Sequence, residues 1–232
     1  MAGETGGAPA LFWFRQDLRL SDNPAVAAAI DRGSPVIPVF IWSLEEEGSW
    51  RLGAALKWWL RRSLAALNEE LERRGSRLIV RRGPTHKALN DLLAESGASA
   101  VFWNRRYEPA AVDRDGKLKS QLRERGIAAE SFNGSLLFEP WTIRNASGHP
   151  FRVFTAFWRA CLTKPVAPPS KDAPRKLRSP ESWPHSLELS ELALEPTVDW
   201  AGGLRETWQP GESGAKSQLK RFQKEAIQEY PM

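Results

Sequence analysis

Between Ala10 and Phe132, short apolar runs alternate with stretches of helical spacing, and few folds tolerate such an order. Ala10–Phe14 is apolar and breaks off at Arg15, which reads as a buried strand. Asn23-Pro24 then opens a helix, with Asn23 as N-cap and Pro24 in the first turn, where its missing N–H costs nothing. Ala25–Ile30 continues that helix and Gly33 stops it. Pro35–Trp42 reads as a second buried strand. Leu52, Leu56, Leu60, Leu64, Leu67 and Leu71 recur at steps of four and three, one face of a long amphipathic helix closed by Gly75. Arg77–Arg82, Ser99–Trp103 and Ile127–Phe132 read as further strands, separated by helices over Thr85–Ser96 and Ala110–Arg125 that Gly97 and Gly126 close. Each parallel pairing needs a crossover helix, so this alternation demands a mostly parallel sheet. The expected fold is α/β: a Rossmann-like five-stranded parallel sheet with helices on both faces, followed by a long linker and the first helix of an all-α domain.

The alternation also divides the chain. Residues 9–135 form the α/β domain. Residues 136–207 hold an aromatic, helix-like stretch at Phe151–Leu162 and then a run with prolines at 165, 168, 169, 174, 180 and 184, which reads as an extended linker over a surface. In residues 208–232 helical spacing returns from Ala215 to Tyr230. A lone helix cannot bury its own apolar face, so this last stretch reads as the first element of a second domain. Ligands of parallel sheets sit beyond the carboxyl ends of the strands, which selects the loops Arg15–Asn23, Ser43–Arg51, Gly83–His86 and Asn104–Pro109.

Composition narrows the chemistry. The single Cys161 rules out an intramolecular disulfide framework and fits a reducing compartment. Three histidines and that cysteine assemble no zinc-type cluster, and no metal site is expected. The first strand is followed by Phe14-Arg15-Gln16-Asp17 rather than by a glycine-rich phosphate turn, and no P-loop occurs. No apolar run reaches bilayer length, and Met1–Pro9 has no signal-like character, so a cytoplasmic protein without membrane contact is expected. Net charge is +5, with nine basic residues against three acids in 51–82. Arg61, Arg62, Arg73 and Arg74 form a stripe that either contacts DNA or is a solvated helix face. Glu45-Glu46-Glu47 reads as a solvated turn.

Four stretches carry a resemblance. Phe12-Trp-Phe-Arg15-Gln-Asp17-Leu-Arg19-Leu-Ser-Asp22-Asn23 is similar to the opening of the DNA photolyase/cryptochrome family. Its Arg and Asp can pair and stiffen the loop after the first strand, and Asp22 or Asn23 can cap the next helix. Trp103-Asn104-Arg-Arg-Tyr-Glu108-Pro109 with Asp113-Arg114-Asp115 resembles the family's fourth strand and its loop. Phe151-Arg-Val-Phe154-Thr-Ala-Phe157-Trp158 resembles the aromatic segment that follows, with Ala156 where the family usually has proline. Trp208-Gln-Pro210-Gly211-Glu212-Ser-Gly214-Ala215, with Leu219 and Phe222, resembles the start of the family's helical domain.

The resemblance implies a light-driven repair enzyme in two parts. An antenna chromophore in the α/β domain passes excitation to reduced FAD in a helical domain, and the flavin gives an electron to a pyrimidine dimer flipped out of DNA. It makes Tyr230 the family's first flavin-contacting tyrosine and places the flavin-wrapping stretch and the tryptophan relay beyond Met232, so the chain reads as a truncated, monomeric photolyase portion with no catalytic residue of its own, inactive in isolation. Antenna-crevice candidates are Arg15, Trp42, Asn104, Arg105, Arg106 and Glu108. Folate-binding members carry Asn-Glu where this chain has Ala110 and Ala111. Deazaflavin-binding members often carry an acid at the position of Arg106. Folate, deazaflavin and flavin antennas all stay open, and Arg105 and Arg106 face either a phosphate-bearing flavin or solvent. A cryptochrome photoreceptor and a free-standing nucleotide-binding module are the alternative functions. Of eleven tryptophans, Trp13, Trp42 and Trp103 are expected at strand ends near the crevice. Trp141, Trp158, Trp183, Trp200 and Trp208 are expected against a helical domain.

Overall fold

A computed structural model describes residues 7–47, 51–169 and 171–229. The strands are β1 (Ala10–Phe14), β2 (Val36–Trp42), β3 (Ile79–Arg82), β4 (Ala100–Asn104) and β5 (Ala128–Phe132). The helices between them are α1 (Pro24–Asp31), α2 (Ala54–Glu72), α3 (Thr85–Ser96) and α4 (Pro109–Glu124). All strand pairs are parallel, in the order β3-β2-β1-β4-β5. The chain winds outward from β1 to β3, then returns to β4 beside β1 and winds the other way. Right-handed crossovers therefore put α1 and α2 on one face and α3 and α4 on the other. The side-chain period of two sorts β1 between them. Ala10, Phe12 and Phe14 pack with Val26 of α1 and Leu64, Leu67 and Leu71 of α2. Leu11 and Trp13 pack with Leu89 and Leu92 of α3 and with Leu118 and Leu122 of α4. The reversal between β1 and β4 opens a crevice at their carboxyl ends.

Asn23 caps α1 as its sequence suggests, with extended backbone and its side-chain oxygen accepting the Val26 N–H at 3.2 Å. Three later helices are α5 (Phe154–Leu162), α6 (Gly202–Thr207) and α7 (Glu212–Lys224). The expected helix at Phe151 starts three residues later, after Val153 in extended conformation. The one expected at Ala215 starts earlier, at Glu212, and ends at Lys224 before a 3-10 turn over Ala226–Glu229.

The proline-rich stretch is not a free span. The Val36 N–H donates to Arg178 O at 2.9 Å, Leu177 N–H to Arg74 O at 3.0 Å, and Leu187 N–H to Val80 O at 3.0 Å. Ser186 Oγ accepts the Val80 N–H, so residues 186–187 cover the open edge of β3. Leu177, Leu192 and Leu194 are buried in the layer under α1 and α2. Trp183 packs on the opposite layer beneath the Arg77 guanidinium, 4.9 Å from its ring. Trp183 thus belongs to the α/β unit, contrary to its expected place against a helical domain. These apolar residues have no period, which is why the sequence shows only prolines there. Among the described residues no helix is long and apolar enough to cross a membrane.

Candidate functional site

All four loops at the strand ends converge on one cavity of about 1270 Å³. Its apolar wall comes from Trp13 of β1, Phe40 and Trp42 of β2, and Leu56, Trp59 and Leu60 of α2. Leu56 and Trp59 are 57% and 36% exposed, so the leucine face of α2 reaches past the core and lines this space. The polar side carries Arg15, Asp17, Glu46, Arg106, Glu108 and Arg114. Gly211, just before α7, and Glu212, Ala215, Lys216 and Leu219 of α7 close it from outside the sheet.

The loop after β1 is held by charge in near-complete burial. Arg15 donates to the carboxylate of Asp115 in α4 and to the main-chain carbonyl of Asn104 at the end of β4. Burial pulls the Arg15 guanidinium below its usual value, against the opposing pull of Asp115. Asn104 donates to the carboxylate of Asp17 and to Asn23 Oδ1 at 2.7 Å, and its own oxygen accepts the Ala25 N–H at 3.3 Å. One amide thereby ties β4, the loop and the start of α1 together. The loop's Arg and Asp do pair, as their alternation suggests, but the strongest partner of Arg15 is a hundred residues away.

Arg114 extends the chain of charge. It donates to Asp115 at 2.7 Å and to Glu46 Oε2 at 2.7 Å. Burial works to lower its pKa, yet Asp115 and Glu46 outweigh burial and the net shift is upward. Glu46 also accepts the Thr85 N–H and hydroxyl, both at 2.7 Å. Pro84 gives α3 no side-chain cap, so this carboxylate satisfies an N-terminal N–H that would otherwise lack one. Glu46 is therefore a structural anchor facing the cavity, not the solvated turn its acidic neighbours suggest. Both cations also lie against Trp13, with the guanidinium carbons of Arg15 and Arg114 4.8 and 5.5 Å from its ring centre.

A second recess, of about 520 Å³, adjoins the first across Arg15, Arg106 and Glu108. It takes in Asn104, Arg105, Tyr107 and Gly134. Arg105 is not turned to a free anion: it donates to Glu139 at 2.7 Å and to the Ser131 carbonyl. Burial and the hydrogen bond to Glu139 push the Tyr107 hydroxyl up to about 12. Arg106 pairs with Glu108 at 2.7 Å on the rim.

Of the six crevice candidates, Arg15, Trp42, Arg106 and Glu108 line the main cavity, while Asn104 and Arg105 line the recess. Tyr230 lies outside the described residues. Trp103 is fully buried under α3 and α4 and does not line the main cavity. Ala110 and Ala111 do line it. Glu46, Trp59, Arg114, Glu212 and Lys216 are lining residues the sequence reading did not select. For Trp59 a signal existed, since it adjoins a leucine face longer than one sheet needs. The basic stripe on α2 is largely matched: Arg62 meets Glu195 at 3.4 Å, Arg73 and Arg74 meet Glu70, and Arg74 also donates to Pro174 O at 2.7 Å.

Fold and cavity together define a Rossmann-like α/β domain with a candidate site at the switch of strand order. A family model described as DNA photolyase matches residues 10–175. The deoxyribodipyrimidine photo-lyase of Agrobacterium fabrum is 46% identical over 226 residues, covering 96% of this chain and 46% of that protein. Cryptochrome-1 of Arabidopsis thaliana is 39% identical over 238 residues, covering 99% of this chain and 34% of the relative. The crystal structure of a bacterial class III photolyase from Agrobacterium tumefaciens superimposes with a TM-score of 0.86 at 45% identity, over 93% of this chain and 44% of that one. The chain belongs to the DNA photolyase family. It spans about half the length of the first of these relatives, and about a third of the second.

Proposed function

We propose that this chain is the antenna-holding α/β portion of a light-driven DNA photolyase that repairs pyrimidine dimers. The observation that carries the reading is the tryptophan-walled cavity at the strand ends. Trp42 and Trp59 offer aromatic surface for a flat conjugated ring. Arg106 engages Glu108 through Nε and Nη2, so its Nη1 can still meet an anionic tail. The volume slightly exceeds the usual range for a small-molecule site, so a ring with an extended substituent fits. Such a chromophore would supply absorption in the near-UV or blue, and reduced FAD the electron that opens the dimer. The protein's own part is to orient the ring against Trp42, exclude water with the leucines of α2, and hold the polar rim rigid through Arg15, Asn104 and Asp115. FAD contact at Tyr230, DNA containing dimers as substrate, a monomeric state and a cytoplasmic location belong to the same proposal.

The test is reconstitution. Purified protein is incubated with a folate, a deazaflavin and a flavin, and its absorption is recorded above the tryptophan band. A retained band that weakens in Trp42→Ala and in Arg106→Ala is the expected result. No retained band with any of the three overturns the antenna reading. The identity to Cryptochrome-1 makes a photoreceptor the second reading. Full-length protein that holds its chromophores but repairs no dimers under illumination would favour that one.

A further inference from the structure

Helix α7 is seated on the α/β unit by very little apolar burial. Gly214 is its one buried residue among those described, and Leu219 and Phe222 are 55% and 41% exposed. Trp208, just before it, meets Trp59 of α2 edge-on at 6.2 Å. Gly211 has a φ of +98° and comes so near α2 that an added Cβ would lie 2.8 Å from the Ala66 methyl. At Gly214 an added Cβ would lie 1.8 Å from the Gln209 carbonyl oxygen. These glycines let the turn approach but do not hold it.

The hold comes from Glu212. An acid in the first turn of a helix ordinarily complements the helix dipole. This one reaches to the loop after β1 instead. Its carboxylate accepts the Leu20 N–H at 2.7 Å, the Ser21 N–H at 3.3 Å and the Ser21 hydroxyl, while Lys216 Nζ pairs with it at 2.6 Å. Burial works to raise the Glu212 carboxyl, but the bonds from Lys216, Ser21 and Leu20 outweigh it and hold the group below the ordinary glutamate range. The same short motif thus supplies both the latch and five residues of the cavity wall.

We infer that Glu212 is a positioning residue that latches α7 onto the Leu20–Ser21 loop, making α7 a detachable wall of the cavity whose seating is coupled to retention of the chromophore. A ligand touching both α7 and the strand-end loops binds the seated form better. Binding and seating must then favour each other by the same factor. The coupling rests on the antenna reading above, whereas the latch stands on the ligand-free geometry.

Two measurements separate them. Hydrogen exchange is followed in the full chain without ligand, in peptides covering 16–23 and 208–224. Glu212→Ala is expected to speed exchange in both by about tenfold, the loss of a few charge-assisted bonds, while peptide 10–14 is unchanged. Ser21→Ala gives a smaller rise, and Lys220→Ala, on the exposed side of the same helix, gives none. Unchanged exchange in Glu212→Ala overturns the latch. Methenyltetrahydrofolate and flavin mononucleotide are then titrated into each variant. Whichever the wild type holds should leave Glu212→Ala about tenfold faster, and should slow α7 exchange in the wild type by a similar factor. Faster exchange with undiminished retention overturns the coupling. Wild-type protein that holds neither probe overturns the antenna reading and the coupling with it, while the exchange contrast still decides the latch.

Discussion

Trp13 and Arg15, where β1 runs into its loop, and the rings of helix α5 are treated by the fold in opposite ways. Around the loop, Trp13 is 3% exposed and Arg15 7%, with each cation matched to a carboxylate. On α5 only Cys161 is buried. Phe154 is 73% exposed and Leu162 66%, and Phe154 stacks on Trp158 along the helix's own surface. What separates the two is the supply of neighbours. The loop lies where β1, β4 and α4 converge, so its charges find partners within hydrogen-bond reach. Helix α5 meets no such convergence among the described residues, and its aromatic rings pack on each other.

The sharpest way to break this contrast is to compare two acids of α4 that stand two residues apart. Asp115→Ala strands Arg15 in a buried site and should cost about 3–5 kcal/mol in a denaturant titration. Asp113→Ala loses only the exposed pair with Lys117 and should stay within about 0.5 kcal/mol. Equal losses would mean that the buried network carries no special share of stability. Next in size is Asn104→Ala, which leaves Asp17, Asn23 and Ala25 short of a partner; about 1–3 kcal/mol of loss is expected, with faster exchange at the start of α1.

A smaller effect concerns acid. Because the folded Glu212 carboxyl sits below its ordinary value of 4.5, its contribution is fully present above that pH. It is lost as pH falls through the lowered value. The charged group that meets it is Lys216 on its own helix, and the facing loop supplies the Leu20 and Ser21 N–H groups and the Ser21 hydroxyl. Protection of α7, taken relative to the intrinsic exchange rate at each pH, should therefore fall below about pH 4.5 more steeply than that of α3, and Glu212→Gln should remove the difference. The least change is expected on α5. Phe154→Ser with Trp158→Ser should leave stability within about 0.5 kcal/mol, yet reduce concentration-dependent light scattering, since exposed apolar patches drive association. A large loss of stability there would show that α5 is seated more firmly than its exposure suggests.

Much of the site's location was legible. The loops Arg15–Asn23 and Asn104–Pro109 follow from strand ends alone, and both line the cavity. Asn23 as a cap is equally local, since its bond spans three residues. Glu46 and Glu212 were not legible, because their partners are 39 and 192 residues away and no local spacing encodes such a pairing. Trp183, Leu177 and Leu192 failed for a related reason. An irregular strap buries side chains without a period, and prolines mask the few apolar positions that matter.

The sequence by itself determined the parallel sheet, the two helical layers and the end of the sheet at which a ligand can sit. Periods of two and 3.6 are local properties, and parallel strands leave few ways to connect them. Only the tertiary structure decided that α7 closes the cavity, that Glu46 holds the start of α3, and that the proline-rich stretch straps the edge of β3. Each of these depends on one side chain or one carbonyl meeting a partner far along the chain, and burial and unpaired polar groups select those meetings only once the sheet is in place.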